Sequence, residues 1–312
     1  MSLSPQPRPV YVEPPNDDRL VPPRWLDQAP VTRSLLALNV AMFLVQSALT
    51  RLVTDLSSRA ALALGASYAF ATVGEHRWET LVTACFLHGG IIHLAFNMVA
   101  LWQAGPIVER AVGSARMAPL YLVAGALGNA LSVAHGWLAG EEGFTVGASG
   151  AIMGVIAAAL VVGWRVQGWR GPLTQAMARW LGFVAVFGAL SGMTGGRVDN
   201  AAHLGGAIAG AAIATTWRRG LRYSARATVA IVAGCAAVLV ACIAVVAAHD
   251  REDRFATMTV QDRAQLTAVA LASGRCRDAY QGLLALERLR PASPLSRSLR
   301  EEVEATCGRL VD

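Results

Sequence analysis

The chain has no lysine: all 27 of its basic residues are arginine. That absence rules out a Ser–Lys hydrolytic dyad. Charge of either sign is scarce, with 15% charged against 54% hydrophobic residues and a mean hydropathy of +0.43, where soluble domains carry about 25% charged residues. A water-facing surface cannot be built from so little charge. The net charge of +6 is spread over the ends of apolar runs, which argues against nucleic-acid binding and for a role in membrane topology. Cysteine is sparse and forms no CxxC pair, so no metal site of that type is present. Cys85, Cys235 and Cys242 fall in apolar segments, where a thiol packs as a small hydrophobe. Cys276 and Cys307 are the pair that could form a disulfide or remain free thiols on packed helix faces. The first 30 residues are rich in proline and lack the apolar stretch of a signal peptide.

What the sequence does have is long apolar runs. A bilayer core of about 30 Å needs about 20 apolar residues per helix, and runs at 31–50, 81–107, 117–139, 146–166, 178–193, 200–217 and 227–248 meet that need. The runs predict an all-α, polytopic membrane protein with seven spans, and exclude a β-barrel's short alternating segments. Residues 51–79 are too polar to span, although Tyr68 and Trp78 could seat them at the membrane interface. Arg110 and Arg116, then Arg165, Arg170 and Arg179, then Arg218, Arg219, Arg222 and Arg226 mark one side, whereas the loop with Glu141 and Glu142 has no arginine and the link after the fifth run has only Arg197. Because cytoplasmic loops collect arginine, the N-terminus is expected in the cytoplasm and the tail outside. The division expected is a disordered N-terminal tail (1–30), a six-span core (31–217), a linker and seventh span (218–248), and a small helical tail (249–312) with amphipathic stretches near 260–271, 277–289 and 295–309.

Polar groups at membrane depth are costly and are functional candidates by default. Ser149 opens the fourth run amid Gly147, Ala148, Gly150 and Gly154. There it would lie beside free helix N-terminal N–H groups suited to an oxyanion. A small-residue packing face is the competing reading. In the sixth run His203 precedes Gly206 and Gly210, a small-xxx-small face that allows a close neighbour. A serine at a helix start and a histidine on a glycine-lined helix are the parts of a nucleophile and its base. His93 and Asn97, four apart, share one helix face and both can donate hydrogen bonds. A metal centre is disfavoured, with no H-E-x-x-H pair and no nearby carboxylate. The G-x-S-x-G elbow is not met because position 151 is Ala. A transporter's matching broken helices are not evident.

Taken together, these segments resemble the rhomboid family of intramembrane serine proteases, of bacterial type. Gly147-Ala148-Ser149-Gly150 looks like the family's Gly-x-Ser-Gly signature, Ala202-His203 with Gly206 and Gly210 looks like Ala-His-x-x-Gly-x-x-x-Gly, and His88, His93 and Asn97 match His-x-x-x-x-His-x-x-x-Asn. The resemblance covers about residues 32–217 and implies a six-helix bundle, here with an added C-terminal span and helical tail. It implies a Ser149–His203 dyad without a third carboxylate, and an oxyanion hole from His93, Asn97 and the Ser149 N–H. His88 would be a structural, hydrogen-bonding residue near the first external loop. Two positions depart from the family's common pattern: the first loop reads Arg77-Trp78 in place of Trp-Arg, and Met153 stands where an aromatic is common four residues after the serine. The implied activity is hydrolysis of transmembrane protein substrates within the lipid bilayer, with no cofactor, metal or nucleic acid, in a bacterial inner membrane. The same fold binding transmembrane clients without cutting them is the alternative.

Overall fold

The computed structural model describes residues 29–308 apart from 52, 55, 194–197 and 218–222. Expectations for the N-terminal tail, and for Arg197, Arg218, Arg219 and Arg222, fall outside the described residues. In chain order the elements are α1 (Pro30–Thr50), α2 (Ser58–Ala63), β1 (Ser67–Tyr68), α3 (Ala69–Gly74), α4 (Thr80–Thr83), a 3-10 turn (Ala84–Phe86), α5 (Ile91–Val112), α6 (Ser114–Ala139), β2 (Phe144–Thr145), α7 (Ser149–Gln167), α8 (Pro172–Met193), α9 (Asn200–Thr215), α10 (Ala225–Glu252), α11 (Val260–Ala272), α12 (Cys276–Leu289) and α13 (Pro294–Cys307). The architecture is all-α and polytopic, with one two-stranded antiparallel ribbon pairing Ser67 with Thr145 and Tyr68 with Phe144.

Among the described residues six helices are long and apolar enough to cross a membrane: α1, α5, α6, α7, α8 and α10. The expected sixth run becomes α9, which has 16 residues and at 1.5 Å per residue reaches about 24 Å, short of a bilayer core. The second run is corrected as well. It does not form one helix from Leu81, because Gly89-Gly90 interrupts it and α5 starts at Ile91. A β-carbon on Gly90 would run into the backbone carbonyl of Thr54, so the chain can turn there only without a side chain.

Apolar burial cannot drive helix association in lipid, so close van der Waals packing of small residues does. α7 is the most buried of the candidate spans and α10 the least. Gly150, Ala151, Gly154, Ala157, Ala158 and Ala159 make α7 thin enough to be surrounded, and α9 packs chiefly on α7 and α6. At the far end of the bundle the buried Glu109 carboxylate holds the start of α1. It accepts from the N–H of Val31 (3.0 Å) and of Thr32 (2.8 Å), and from the hydroxyls of Thr32 (2.7 Å) and Ser114 (2.6 Å). Free N–H groups at a helix start favour a negative charge there.

The C-terminal helices dock on the first loop. Leu62, Tyr68, Phe70 and Ala71 of that loop share one apolar cluster with Val260, Leu283, Leu286, Leu289 and Val303. Tyr68 is therefore not an interfacial anchor: it is 1% exposed, and its hydroxyl accepts from the Val260 N–H at 3.3 Å. Burial raises the Tyr68 phenol above its ordinary pKa, so it stays a neutral hydroxyl. Trp78 remains half exposed. Arg77, the arginine of the altered first-loop pair, is buried. It donates to the Ala256 carbonyl at 3.0 Å and faces Glu79 at 3.3 Å and Asp250 at 3.7 Å. Arg263 is fully buried, forks onto Glu75 at 2.6 and 3.1 Å, and also donates to the carbonyls of Ala285 and Phe255. Cys276 and Cys307 are bonded, with Cα atoms 5.6 Å apart. Closing a loop of that length contributes roughly 3–4 kcal/mol in the chain-entropy model.

These contacts rank two arginines. Arg263→Ala takes the close guanidinium from half-buried Glu75, leaving Arg288 at 3.6 Å, strips the Ala285 and Phe255 carbonyls of their donor, and should destabilise by about 3 kcal/mol. Arg300, half exposed and paired with Glu287 and Glu304, should cost about 1 kcal/mol or less on the same change. Chemical unfolding of the purified protein in detergent measures both, and equal losses would contradict the docking described here.

Candidate active site

Ser149 is the first residue of α7, following Ala148. Gly147, Ala148 and Gly150 around it are buried while Ser149 itself is half-buried, so the hydroxyl-bearing residue is the accessible one. The β2 strand and its pairing with β1 deliver the chain to this point, and the Gly147 N–H donates to the Ala84 carbonyl at 2.9 Å, pinning the turn. With φ at +127°, Gly147 occupies backbone space that L side chains rarely enter.

His203 lies in the first turn of α9. Asp199 caps that helix, its side chain accepting from the Ala202 N–H at 2.8 Å. Ala202, next to His203, meets Gly150, next to Ser149: a β-carbon on Gly150 would sit 3.2 Å from the Ala202 carbonyl oxygen. One turn along, Gly206 lies on the Gly150 carbonyl, and a further turn along Gly210 lies on the Gly154 carbonyl, each so close that a β-carbon would overlap the backbone. The four glycines thus bring the two helix starts together. No hydrogen bond joins the Ser149 hydroxyl to His203, and the His203 Nδ1 is buried without a partner. In a protein without substrate such a contact is commonly open and closes when substrate binds.

The second-helix residues arrive from the other side. His93 Nδ1 accepts the Gly89 N–H at 3.3 Å, which puts the proton of a neutral ring on Nε2. That Nε2 lies 2.9 Å from where a β-carbon on Gly147 would be, and the Asn97 amide nitrogen lies 3.6 Å from the same point. Asn97 is buried and its Nδ2 donates to the His93 carbonyl at 3.2 Å. His93 and Asn97 therefore share one face of α5, beside the segment that leads into Ser149.

His88 departs from expectation in detail. It is fully buried and edge-on to the His93 ring, with centroids 5.3 Å apart, yet neither ring nitrogen has a hydrogen-bond partner. Its bonds are made by its backbone, whose N–H donates to Gln46 Oε1 at 3.1 Å and whose carbonyl accepts from Gln46 Nε2 at 2.6 Å. Met153 is buried in the main apolar cluster one turn along from Ser149. Sequence reasoning gave no role to Asp199, Thr145 or Ser132, whose side chains meet between the segments that lead to Ser149 and His203: the Asp199 carboxylate accepts from Ser132 at 2.6 Å and from Thr145 at 2.8 Å. An aspartate just ahead of an apolar run is the sequence signal of a helix cap and would have marked Asp199. Nothing local marks Ser132 or Thr145.

Comparison with known proteins bears on the same segments. The rhomboid domain model matches residues 75–220. Rhomboid protease AarA of Providencia stuartii is 30% identical over 207 residues, 60% of this chain and 72% of that protein. Rhomboid protease GluP of Bacillus subtilis is 34% identical over 138 residues, 44% of this chain but 26% of the length of GluP. RHOMBOID-like protein 5 of Arabidopsis thaliana is 34% identical over 139 residues, 43% of this chain and 42% of that protein. The matched stretch thus spans about a quarter of GluP and less than half of the Arabidopsis relative. With the fold, the six candidate spans and these relatives in agreement, the chain is an integral membrane protein that belongs to the rhomboid family.

Proposed function

We propose that this chain is a serine endopeptidase that hydrolyses peptide bonds in or near transmembrane segments of membrane-protein substrates, with Ser149 as nucleophile and His203 as general base. The observation that carries the reading is the approach of the two helix starts: Gly150 lies against Ala202 and Gly206 lies against Gly150, which supports one site shared by the flanking residues Ser149 and His203. Ser149 Oγ attacks the scissile carbonyl and its proton passes to His203. The tetrahedral intermediate collapses as His203 returns the proton to the leaving amine, and water then cleaves the acyl-enzyme by the same steps in reverse order. The developing oxyanion needs donors, which His93 Nε2–H, the Asn97 amide and the Ser149 N–H at the start of α7 would supply. A client helix must unwind locally to present its carbonyl, because helical hydrogen bonds otherwise bury it. Small, helix-weakening residues near a client's external membrane boundary are therefore the favoured context.

The topology that goes with this reading counts the short α9, enclosed by α6 and α7, as a seventh crossing, and so has a cytoplasmic N-terminus and extracytoplasmic C-terminal helices in a bacterial inner membrane. Arg110 and Arg116 around the α5–α6 junction, and Arg165 and Arg170 around the α7–α8 junction, fit a cytoplasmic side. The Cys276–Cys307 bond fits an oxidising compartment for the tail. On this division residues 31–217 form the catalytic unit, 218–248 the linker and added span, and 249–312 the external tail.

In proteoliposomes with a model transmembrane substrate, Ser149→Ala and His203→Ala should each abolish cleavage, and the double variant should be no worse than either, since the two act as a unit. Undiminished cleavage by Ser149→Ala would leave a client-binding protein in place of a protease. His93→Ala and Asn97→Ala should retain activity at a turnover lowered by roughly 100-fold or more, the effect of removing one oxyanion donor; a defect confined to KM would remove them from that role. Gly147→Ala introduces a side chain at φ +127° and 2.8 Å from His93 Cε1, so turnover should fall as far as in His93→Ala. Normal turnover of Gly147→Ala would contradict the placement of His93.

A further inference from the structure

A half-buried carboxylate sits beside the dyad without belonging to it. Asp199 Oδ1 accepts from the Ala202 N–H at 2.8 Å. Its Oδ2 lies 2.6 Å from the Ser132 hydroxyl of α6 and 2.8 Å from the Thr145 hydroxyl of β2, and those two hydroxyls are 2.7 Å from each other. Two hydroxyl protons serve three short contacts, and an acceptor-only carboxylate draws them toward itself. The three partners come from three separate elements. Asp199 also accepts, through its backbone carbonyl, the N–H of His203 at 3.1 Å.

The spacing gives the cluster a purpose. Thr145 is four residues before Ser149, and Asp199 is four residues before His203. Between Thr145 and Ser149 the chain passes through Gly147 in its positive-φ conformation, held on one side by the Gly147 N–H on the Ala84 carbonyl and by Val146 and Ala148 in the apolar clusters. Nothing polar bonds the Ser149 hydroxyl to the His203 ring directly, so their separation is set by what holds the two segments behind them. The glycine contacts set how closely α7 and α9 approach, but smooth backbone faces allow sliding along the helix axes. A directional hydrogen-bonded tie between β2 and the cap of α9 removes that freedom.

We propose that Asp199 is a positioning residue: by bonding Thr145, Ser132 and the Ala202 N–H at once, it locks the strand that leads into Ser149 to the start of the helix that carries His203. The assignment rests on the dyad reading and adds to it the device that fixes the dyad's geometry. Its expected signature is kinetic, because misplacing reacting groups by about 1 Å costs about 100-fold in rate while the surface that binds substrate is untouched.

The test is steady-state cleavage of a model transmembrane substrate in proteoliposomes, with thermal unfolding measured in parallel. Asp199→Leu should lower kcat about 100-fold with KM within roughly threefold of wild type. Asp199→Asn keeps an oxygen for the Ala202 N–H and an amide that both hydroxyls can accept, so it should recover kcat to within about tenfold of wild type. The Ser132→Ala/Thr145→Val double change leaves the helix cap intact and should lower kcat in the same way. Combined with Asp199→Leu it should add little further loss, as contacting groups do. If Asp199→Leu fails to fold, the hydroxyl variant alone decides. Lower unfolding temperatures with unchanged kcat per folded molecule would make the cluster merely structural and overturn the proposal, as would Asp199→Asn as slow as Asp199→Leu. Ser149→Ala in the same assay separates the two failures. If it is inactive while the Asp199 and hydroxyl variants turn over normally, only the positioning role falls; if it is active, the dyad falls and takes the positioning role with it.

Discussion

The structure depends on one contact, backbone laid on backbone between α7 and α9. Gly206 rests on the Gly150 carbonyl and Gly210 on the Gly154 carbonyl, with Gly128 of α6 brought within contact of Ala202 from the third side. In lipid there is no apolar driving force to hold helices together, so an approach this close must be favoured by dispersion along bare backbone. Every side chain larger than hydrogen would push the helices apart. The residues that flank this contact are Ser149 and His203. Small residues were required for packing, and packing brings together the helix starts that carry them.

Around that contact the rest of the chain adds direction and cover. The β1–β2 ribbon ties the first loop to the segment before Ser149, and Glu109 and Asp199 hold two helix starts with carboxylates aimed at free N–H groups. The C-terminal helices cover the first loop, and the loop answers with buried charge. From opposite sides of the junction Arg77 reaches the Ala256 carbonyl and Arg263 reaches the Glu75 carboxylate. Where the family's common first-loop Trp-Arg pair is absent or shifted, Arg77 is buried in the junction with Ala256, Glu79 and Asp250, while Trp78 is left half exposed. A core with an added span and tail uses its loop arginine for docking the tail.

Much of this was legible in the sequence. Apolar runs marked the helices, since membrane spans leave a signal that single residues cannot hide, and the tail helices 260–272, 276–289 and 294–307 lie within a few residues of their expected places. Ser149, His203, His93 and Asn97 stood out because polar groups at membrane depth are few. What was not legible depended on distant partners. Tyr68 reads as an interfacial aromatic until Val260 and Phe70 bury it. His88 reads as a hydrogen-bonding imidazole, yet Gln46, 42 residues away, bonds its backbone. The run from Leu81 reads as continuous because periodicity does not register that Gly90 must clear the Thr54 carbonyl. Ser132 and Thr145 carry no local mark, because their role exists only when three elements meet at Asp199.

The most direct measurement is chemical. Purified protein in detergent is treated with a fluorophosphonate, and the adduct is mapped by peptide mass spectrometry in the wild type and in His203→Ala. A Ser149 hydroxyl activated by His203 predicts a single adduct on Ser149 that forms far more slowly without the imidazole. An adduct on another residue, or labelling of Ser149 at the same rate in both proteins, would contradict the account.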